Sequence, residues 1–165
     1  MPDPSFEYQQ ISSKNLGRWK EVIIPAVYSE LDGERKELEG NYICLGIKAG
    51  REYAGALISH IEQDTGDLQI LSIVIRPEYR RRGGATGLIR KLCDIAYASY
   101  VWRPGEYSAE VFVKLMYALP DEFKNELEAF LKKAGFTEFY VFEKNTKDEP
   151  ALCGASMEIN LFNLN

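Results

Sequence analysis

Histidine is nearly absent from this chain: His60 is the single one among 165 residues. Zinc centres draw on imidazole and thiolate ligands, so no metal site is expected. Cysteine is scarce as well. Cys44, Cys93 and Cys153 lie far apart, each in an apolar run, and no C-x-x-C occurs. This speaks against a disulfide framework and reads as buried, reduced thiols in the cytoplasm. No apolar run approaches the length of a bilayer span, and the polar opening MPDPSFEYQQ has no signal-peptide core, so no membrane association is expected. Positive charge is in the minority. A formal net charge of −5 argues against broad nucleic-acid binding. The chain also lacks a G-x-x-x-x-G-K-[ST] phosphate loop and a G-x-G-x-x-G dinucleotide fingerprint. Internal repeats and low-complexity segments are missing too.

What is present is enough apolar material for a core, 45% of residues, and a length that suits one compact domain over 1–165. The most informative stretch is 70–91, ILSIVIRPEYRRRGGATGLIRK. Residues 68–75 are apolar and rich in β-branched side chains, which reads as a buried strand. Pro77 ends it. Arg80, Arg81 and Arg82 follow, then Gly83 and Gly84, and from Leu88 the apolar spacing becomes helical through Ile89, Leu92, Ile95 and Ala96. A strand, a basic glycine turn and a helix together suit an anion. Glycine lets backbone N–H groups come close to phosphate, the first helical turn leaves N–H groups unpaired, and arginine forks onto phosphate oxygens. The plain alternative is a solvated basic turn.

The strand changes phase along its length. Leu68 and Ile70 share one side with Gln69 opposite, whereas Leu71, Ile73 and Ile75 share a side with Ser72 opposite. One extra residue, a β-bulge, produces such a switch; a strand buried on both faces would also permit it.

The rest of the chain reads as alternating short elements. Residues 6–11 form a strand. A helix over 14–29, with Ser12, Ser13 and Asn15 as cap candidates, is divided by Pro25. A small charged helix covers 30–38. Strands at 41–48 and 53–62, joined by turns at 49–52 and 63–67, complete an antiparallel meander with 68–75. The helix after the glycine turn reaches about Ser99, a loop covers 103–106, and a strand at 109–115 runs parallel to 68–75 through a right-handed crossover. Ligands of such units sit at the carboxyl ends of the strands, which places 114–119 beside the Arg-Gly turn. Phe123, Leu127, Phe130, Leu131 and Ala134 make the apolar stripe of a last helix stopped at Gly135. Strands at 136–142 and 153–162 flank a polar turn at 143–150.

Tyr79-Arg80-Arg81-Arg82-Gly83-Gly84-Ala85 resembles the acyl-CoA pyrophosphate loop of the GNAT superfamily of N-acetyltransferases, [Q/R]-x-x-G-x-[G/A], with Arg80, Gly83 and Ala85 in its defined places. The preceding Ile75-Arg76-Pro77-Glu78-Tyr79 is similar to that family's strand exit. Residues 131–136, LKKAGF, resemble its closing Y-x-K-x-G-F element, and Gly55 matches a common glycine. The resemblance implies an α/β (α+β) fold: a mixed, mostly antiparallel sheet of about seven strands, about four flanking helices, and two splayed parallel strands that form an acyl-CoA slot. It implies acetyl-CoA as cosubstrate, transfer to a primary amine of a small molecule or protein by direct attack, and no covalent enzyme intermediate. A homodimer is compatible with it. By position, Ile73, Val74 and Ile75 would present backbone groups to the pantetheine arm. Arg80, Arg81, Arg82, Gly83, Gly84, Ala85 and Thr86 would hold the pyrophosphate.

The chain departs from the family where acid–base chemistry is concerned. The place of the frequent general-acid tyrosine is Leu131, that of the frequent strand glutamate is near Leu71, and Asn125 is one residue away from the family's asparagine. Tyr117 follows the parallel strand and has a phenol able to protonate a thiolate; the plainer reading is a packed loop tyrosine. Glu62 and Glu110 are carboxylates near strand ends with no mark of a base, and His60 reads as structural. Two other functional classes stay open at this point: a non-catalytic acyl-CoA-binding module, and a nucleotide or phosphate binder of unrelated fold.

Overall fold

The computed structural model describes residues 5–101, 110–118, 121–142 and 152–160. The loops expected at 103–106 and 143–150, and the expected positions Ala109, Leu119, Leu161 and Phe162, lie outside them. Seven strands form one sheet in the order β1-β2-β3-β4-β5-β7-β6. They are β1 (Phe6–Gln10), β2 (Tyr42–Ala49), β3 (Glu52–Ile61), β4 (Leu68–Ile75), β5 (Glu110–Ala118), β6 (Glu138–Val141) and β7 (Leu152–Asn160). The helices are α1 (Pro25–Gly33), the single turn α2 (Leu38–Asn41), α3 (Gly84–Val101) and α4 (Asp121–Ala134). None of the described helices is long and apolar enough to cross a membrane.

Pro25 does not divide a helix. It stands in the first turn of α1, where its missing N–H costs nothing, and the segment before it is a 3-10 helix, Leu16–Val22. Asn15 stands at the N-cap of that 3-10 helix, but its side chain does not cap it: the side-chain oxygen accepts from the Ser12 N–H at 2.7 Å. The charged stretch after α1 is a 3-10 turn, Arg35–Glu37, leading into α2.

Two apolar clusters lie on opposite faces of the sheet. On one face α3 (Leu88, Ile89, Leu92, Ala96) and α4 (Leu131, Ala134) pack on strands from β1 to β7. On the other, the 3-10 helix, α1 and α2 bury Leu16, Trp19, Val22, Leu31 and Leu38 against Tyr42, Cys44, Ala56 and Ile58. Trp19 is 1% exposed, and its indole occupies the space a side chain at Gly46 would need. This second cluster contains no residue of β5, β6 or β7. α4 stops in a Schellman motif, with Phe136 N–H donating to the Leu131 carbonyl and Gly135 at φ 115°.

The phase switch in β4 is a bulge. Ser59 pairs with Ile70 and Ile58 with Ser72, so Leu71 has no partner on β3. Leu68, Ile70, Ile73 and Ile75 can then all face the α3 side. Leu71 packs against the α1 cluster, and Ser72 reaches the same side, its hydroxyl accepting from the Ile24 N–H at 3.1 Å. The parallel partner β5 pairs with β4 only at Leu68↔Val113, Gln69↔Lys114 and Ile70↔Leu115. Pairing ends where the bulge begins. A bulge bends and twists the strand that carries it, and here the two strands separate beyond that point. Lys114, expected beside the Arg-Gly turn, lies instead in the paired portion.

Candidate active site

The separated strands leave a cleft on the α3/α4 face. Ile73, Val74 and Ile75 form one wall, Leu127 and Phe130 of α4 the other, and Tyr79, Arg80, Arg81, Gly83, Gly84, Ala85 and Thr86 close one end. Its volume is about 670 Å³. Beyond Ile70, the edge of β4 that faces β5 makes no ladder bonds, while its other edge stays paired to β3 as far as Ile75↔Gly55. A side chain at Gly55 would fall 2.8 Å from the Val74 carbonyl, which explains a glycine there.

The closed end is built from backbone. After β4 a 3-10 turn, Pro77–Tyr79, reverses the chain, and Arg80 Nε folds back to donate to the Ile75 carbonyl at 3.0 Å. Arg81 has φ 63° and Gly83 φ 77°. A left-handed arginine is costly, and such strain persists at sites where the surrounding structure holds it. Left-handed residues within a turn gather successive N–H groups on a concave side, a nest for anions. α3 starts directly afterwards. Gly87 N–H donates to the Gly83 carbonyl at 2.9 Å, so the N–H groups of Gly84, Ala85 and Thr86 precede the first helical bond. Gly84 is glycine for a different reason: a Cβ there would lie 3.1 Å from Ile47, 3.3 Å from Phe6 and 3.4 Å from Ile75, so the helix start sits close on the sheet.

Of the residues singled out in the sequence, Ile73, Val74, Ile75, Arg80, Arg81, Gly83, Gly84, Ala85 and Thr86 meet around this cleft. Arg82 is not on its wall. Its guanidinium lies over the Tyr79 ring, 5.6 Å from the centroid, and the Tyr79 hydroxyl donates to Glu52. Leu127 and Phe130 appeared in the sequence only as members of an apolar stripe. The stripe has two sides: Leu131, 1% exposed, faces the core, and Leu127 and Phe130 line the cleft.

Tyr117 extends from β5 toward the same helix. Its hydroxyl donates to Glu128 Oε1 at 3.2 Å, and Glu128 also lies 4.0 Å from Lys124 Nζ. Partial burial, then the neighbouring Glu128 carboxylate, hold the phenol well above its ordinary range, so the proton stays on. Two of the thiols are poor nucleophiles. Burial pushes Cys44 up to about 12 and Cys93 up to about 11. His60 packs edge-on against Tyr42, 5.1 Å between ring centroids. Glu62 sits at the far end of β3, 3.8 Å from Lys114 Nζ.

Solved structures with this fold include the ribosomal-protein-S18-alanine N-acetyltransferase of Escherichia coli, with TM-score 0.67 and 16% identity over 97% of this chain and 99% of that one. A Bacillus subtilis acetyltransferase in complex with CoA matches with TM-score 0.57 and 13% identity, covering 93% and 97% of the two chains. The dodecameric spermidine N-acetyltransferase of Vibrio cholerae matches with TM-score 0.64 and 11% identity, covering 95% of each. Identities this low carry the fold alone. A search of curated protein sequences finds no match. The profile of the Acetyltransferase (GNAT) family matches residues 10–110, from the end of β1 through the bulged strand, the Arg-Gly turn and α3. With that span covering more than half of its length, the chain belongs to the GNAT acetyltransferase family.

Proposed function

We propose that this protein transfers an acetyl group from acetyl-CoA to a primary amine of a small molecule or protein, by direct attack of the amine on the thioester. The observation that carries this reading is the left-handed Arg81/Gly83 turn, set at the start of α3 and at the closed end of the cleft. The residues present fit such a ligand. The open edge of β4 at Ile73, Val74 and Ile75 offers backbone donors and acceptors to an extended arm carrying amides, much as an added strand would use them. The N–H groups of residues 81–86 and the Arg81 charge suit a pyrophosphate. Leu127 and Phe130 exclude water on the other side.

Acetyl-CoA supplies an activated acyl group with a thiolate as leaving group. The chain must help that thiolate take a proton. Leu131 cannot do so, being an apolar core residue. Tyr117 is our candidate general acid: its phenol keeps its proton, projects from β5 toward α4 and is oriented by Glu128, while the ring itself does not line the cleft. No cysteine is required, in keeping with the raised thiols.

Two measurements test the reading. Acetyl-CoA at about 100 times its dissociation constant should stabilise the fold by roughly 2.7 kcal/mol, read as a melting shift. Free-thiol release with an amine panel should then show turnover. No melting shift at millimolar acetyl-CoA would overturn the proposal; a shift without turnover on any amine would make the protein a binding module.

A further inference from the structure

The face of β5, β7 and β6 turned away from α3 and α4 carries a second cavity of about 470 Å³. Strand register orders its side chains in rows. Met116 pairs with Gly154 and Gly154 with Tyr140; one step along, Lys114 pairs with Ser156 and Ser156 with Glu138. Gln69, parallel partner of Lys114, extends the second row, and Asp67 and Phe112 lie beyond it. The first row is apolar. Gly154 leaves a bare backbone floor, and a Cβ there would sit 3.3 Å from the Phe142 ring and 3.6 Å from that of Tyr140. Met116, Tyr140 and Phe142 around it are 48%, 46% and 44% exposed. Large apolar side chains clustered in the open mark a binding surface.

Position relative to the cleft gives this groove a direction. Leu115 is the last β5 residue paired with β4, and Met116 is the next. The apolar row therefore lies at the mouth of the strand separation, with the charged row one step farther along the paired strands. Charge there is lopsided. Lys114 Nζ is already held by Asp67 at 2.8 Å and lies 3.8 Å from Glu62. Glu138 receives the Tyr140 hydroxyl and retains acceptor sites. Two carboxylates thus hold the one ammonium, Glu138 stands two strands away with no lysine or arginine partner among those lining the groove, and Lys114 is the sole cation lining the groove among the described residues. Among those residues, an anion entering here meets no unshared positive group. A cation meets Glu138 and the acidic surplus behind it.

We infer that the acetyl acceptor is a primary amine on an apolar or aromatic body bearing a second positive charge. It would lie with the reacting amine at Met116 and the second charge against Glu138. This rests on the acetyltransferase reading and names its substrate class. The polarity also helps the chemistry: an apolar mouth disfavours the ammonium form and leaves the attacking nitrogen its lone pair, while the distal charge stays solvated by carboxylate. Two residues of strand rise, roughly 7 Å, combine with two interstrand spacings of about 4.8 Å between Met116 on β5 and Glu138 on β6, so the spacer between the two nitrogens must be on the order of 12 Å.

The test compares three amines of equal length at saturating acetyl-CoA, by thiol release: an aryl or alkyl diamine, the matching monoamine, and the matching ω-amino acid with a carboxylate as its second group. The diamine should lead in kcat/KM by about tenfold, and the amino acid should be last. Glu138→Gln should erase the diamine's lead, the loss appearing in KM. Equal rates for all three, a preference for the amino acid, or an unaltered lead in Glu138→Gln would overturn the assignment. Binding of the diamine without acetyl-CoA, followed by the Met116 methyl signal in NMR, is read separately. If acetyl-CoA binds but no amine turns over, the diamine must still shift that methyl in wild type and fail to do so in Glu138→Gln. An unshifted methyl overturns the inference even where acetyl-CoA binding stands.

Discussion

The two halves of the sheet differ in how they are covered. β1 to β4 carry helices on both faces, with Trp19, Leu31 and Leu38 sealing the α1 side. Among the described residues, β5, β7 and β6 are covered by α3 and α4 on one face only, and the other shows Met116, Tyr140 and the following Phe142 exposed. The bulge at Leu71 marks the border. One half has its apolar surface satisfied within the chain; the other keeps apolar surface unspent around the second groove, and the cleft walled by β4, the Arg-Gly turn and α4 lies along the border between them. Substitutions deep in the doubly covered half should therefore act on stability, and those at or beyond the border on chemistry.

The largest separation of the two is expected at Tyr117. Tyr117→Phe removes only a hydroxyl, so thiol release at saturating acetyl-CoA should fall by about 10²–10⁴ while cofactor affinity is kept. Wild-type turnover in this variant would remove Tyr117 from the mechanism. In the doubly covered half, Trp19→Ala should cost about 3–5 kcal/mol in denaturant unfolding, since nothing can refill the space beside Gly46. Leu131→Ala, whose side chain belongs to the core and not to the cleft, should cost about 2–5 kcal/mol and lower turnover only as folded protein is lost. Gly83→Val should fold yet forfeit the stabilisation of roughly 2.7 kcal/mol that saturating acetyl-CoA gives, because a β-branched residue resists φ 77°.

The smallest effect concerns pH. The hydrogen bond from Lys114 to Asp67 raises the lysine above its ordinary 10.5. A raised folded-state value means that the folded form holds the proton more tightly. This contribution is whole below 10.5 and is lost as pH climbs through the folded value. Lys114→Met should flatten the alkaline limb of the stability profile slightly, the pair being partly exposed.

Much of this was legible in the chain. Hydrophobic phase located β4 and, through the switch between Gln69 and Ser72, its bulge, because a strand's period of two registers any extra residue. The Arg-Gly turn was legible because left-handed backbone selects glycine, although Arg81 shares that conformation with no compositional sign. The 3-10 helix at Leu16–Val22 was not, since its apolar spacing also suits an α-helix. Nor was the division of the α4 stripe between core and cleft, which depends on where the helix lies over the sheet. The groove around Gly154 escaped for a related reason: its rows join three strands through register, and a linear reading does not see neighbours across a ladder.

Leu71 makes the cleft a matter of counting. Pairing between β4 and β5 stops at one surplus residue. Removing Leu71 would leave Leu68, Ile70, Ile73 and Ile75 in one unbroken alternation, all still directed at α3, and Gln69 and Ser72 on the other side. The shortened strand would satisfy the same core as a more regular element, free to zip onto β5 along its whole length. The opening between the strands is thus held as a length difference between two neighbours. A single-codon deletion would erase it more completely than any substitution in its walls.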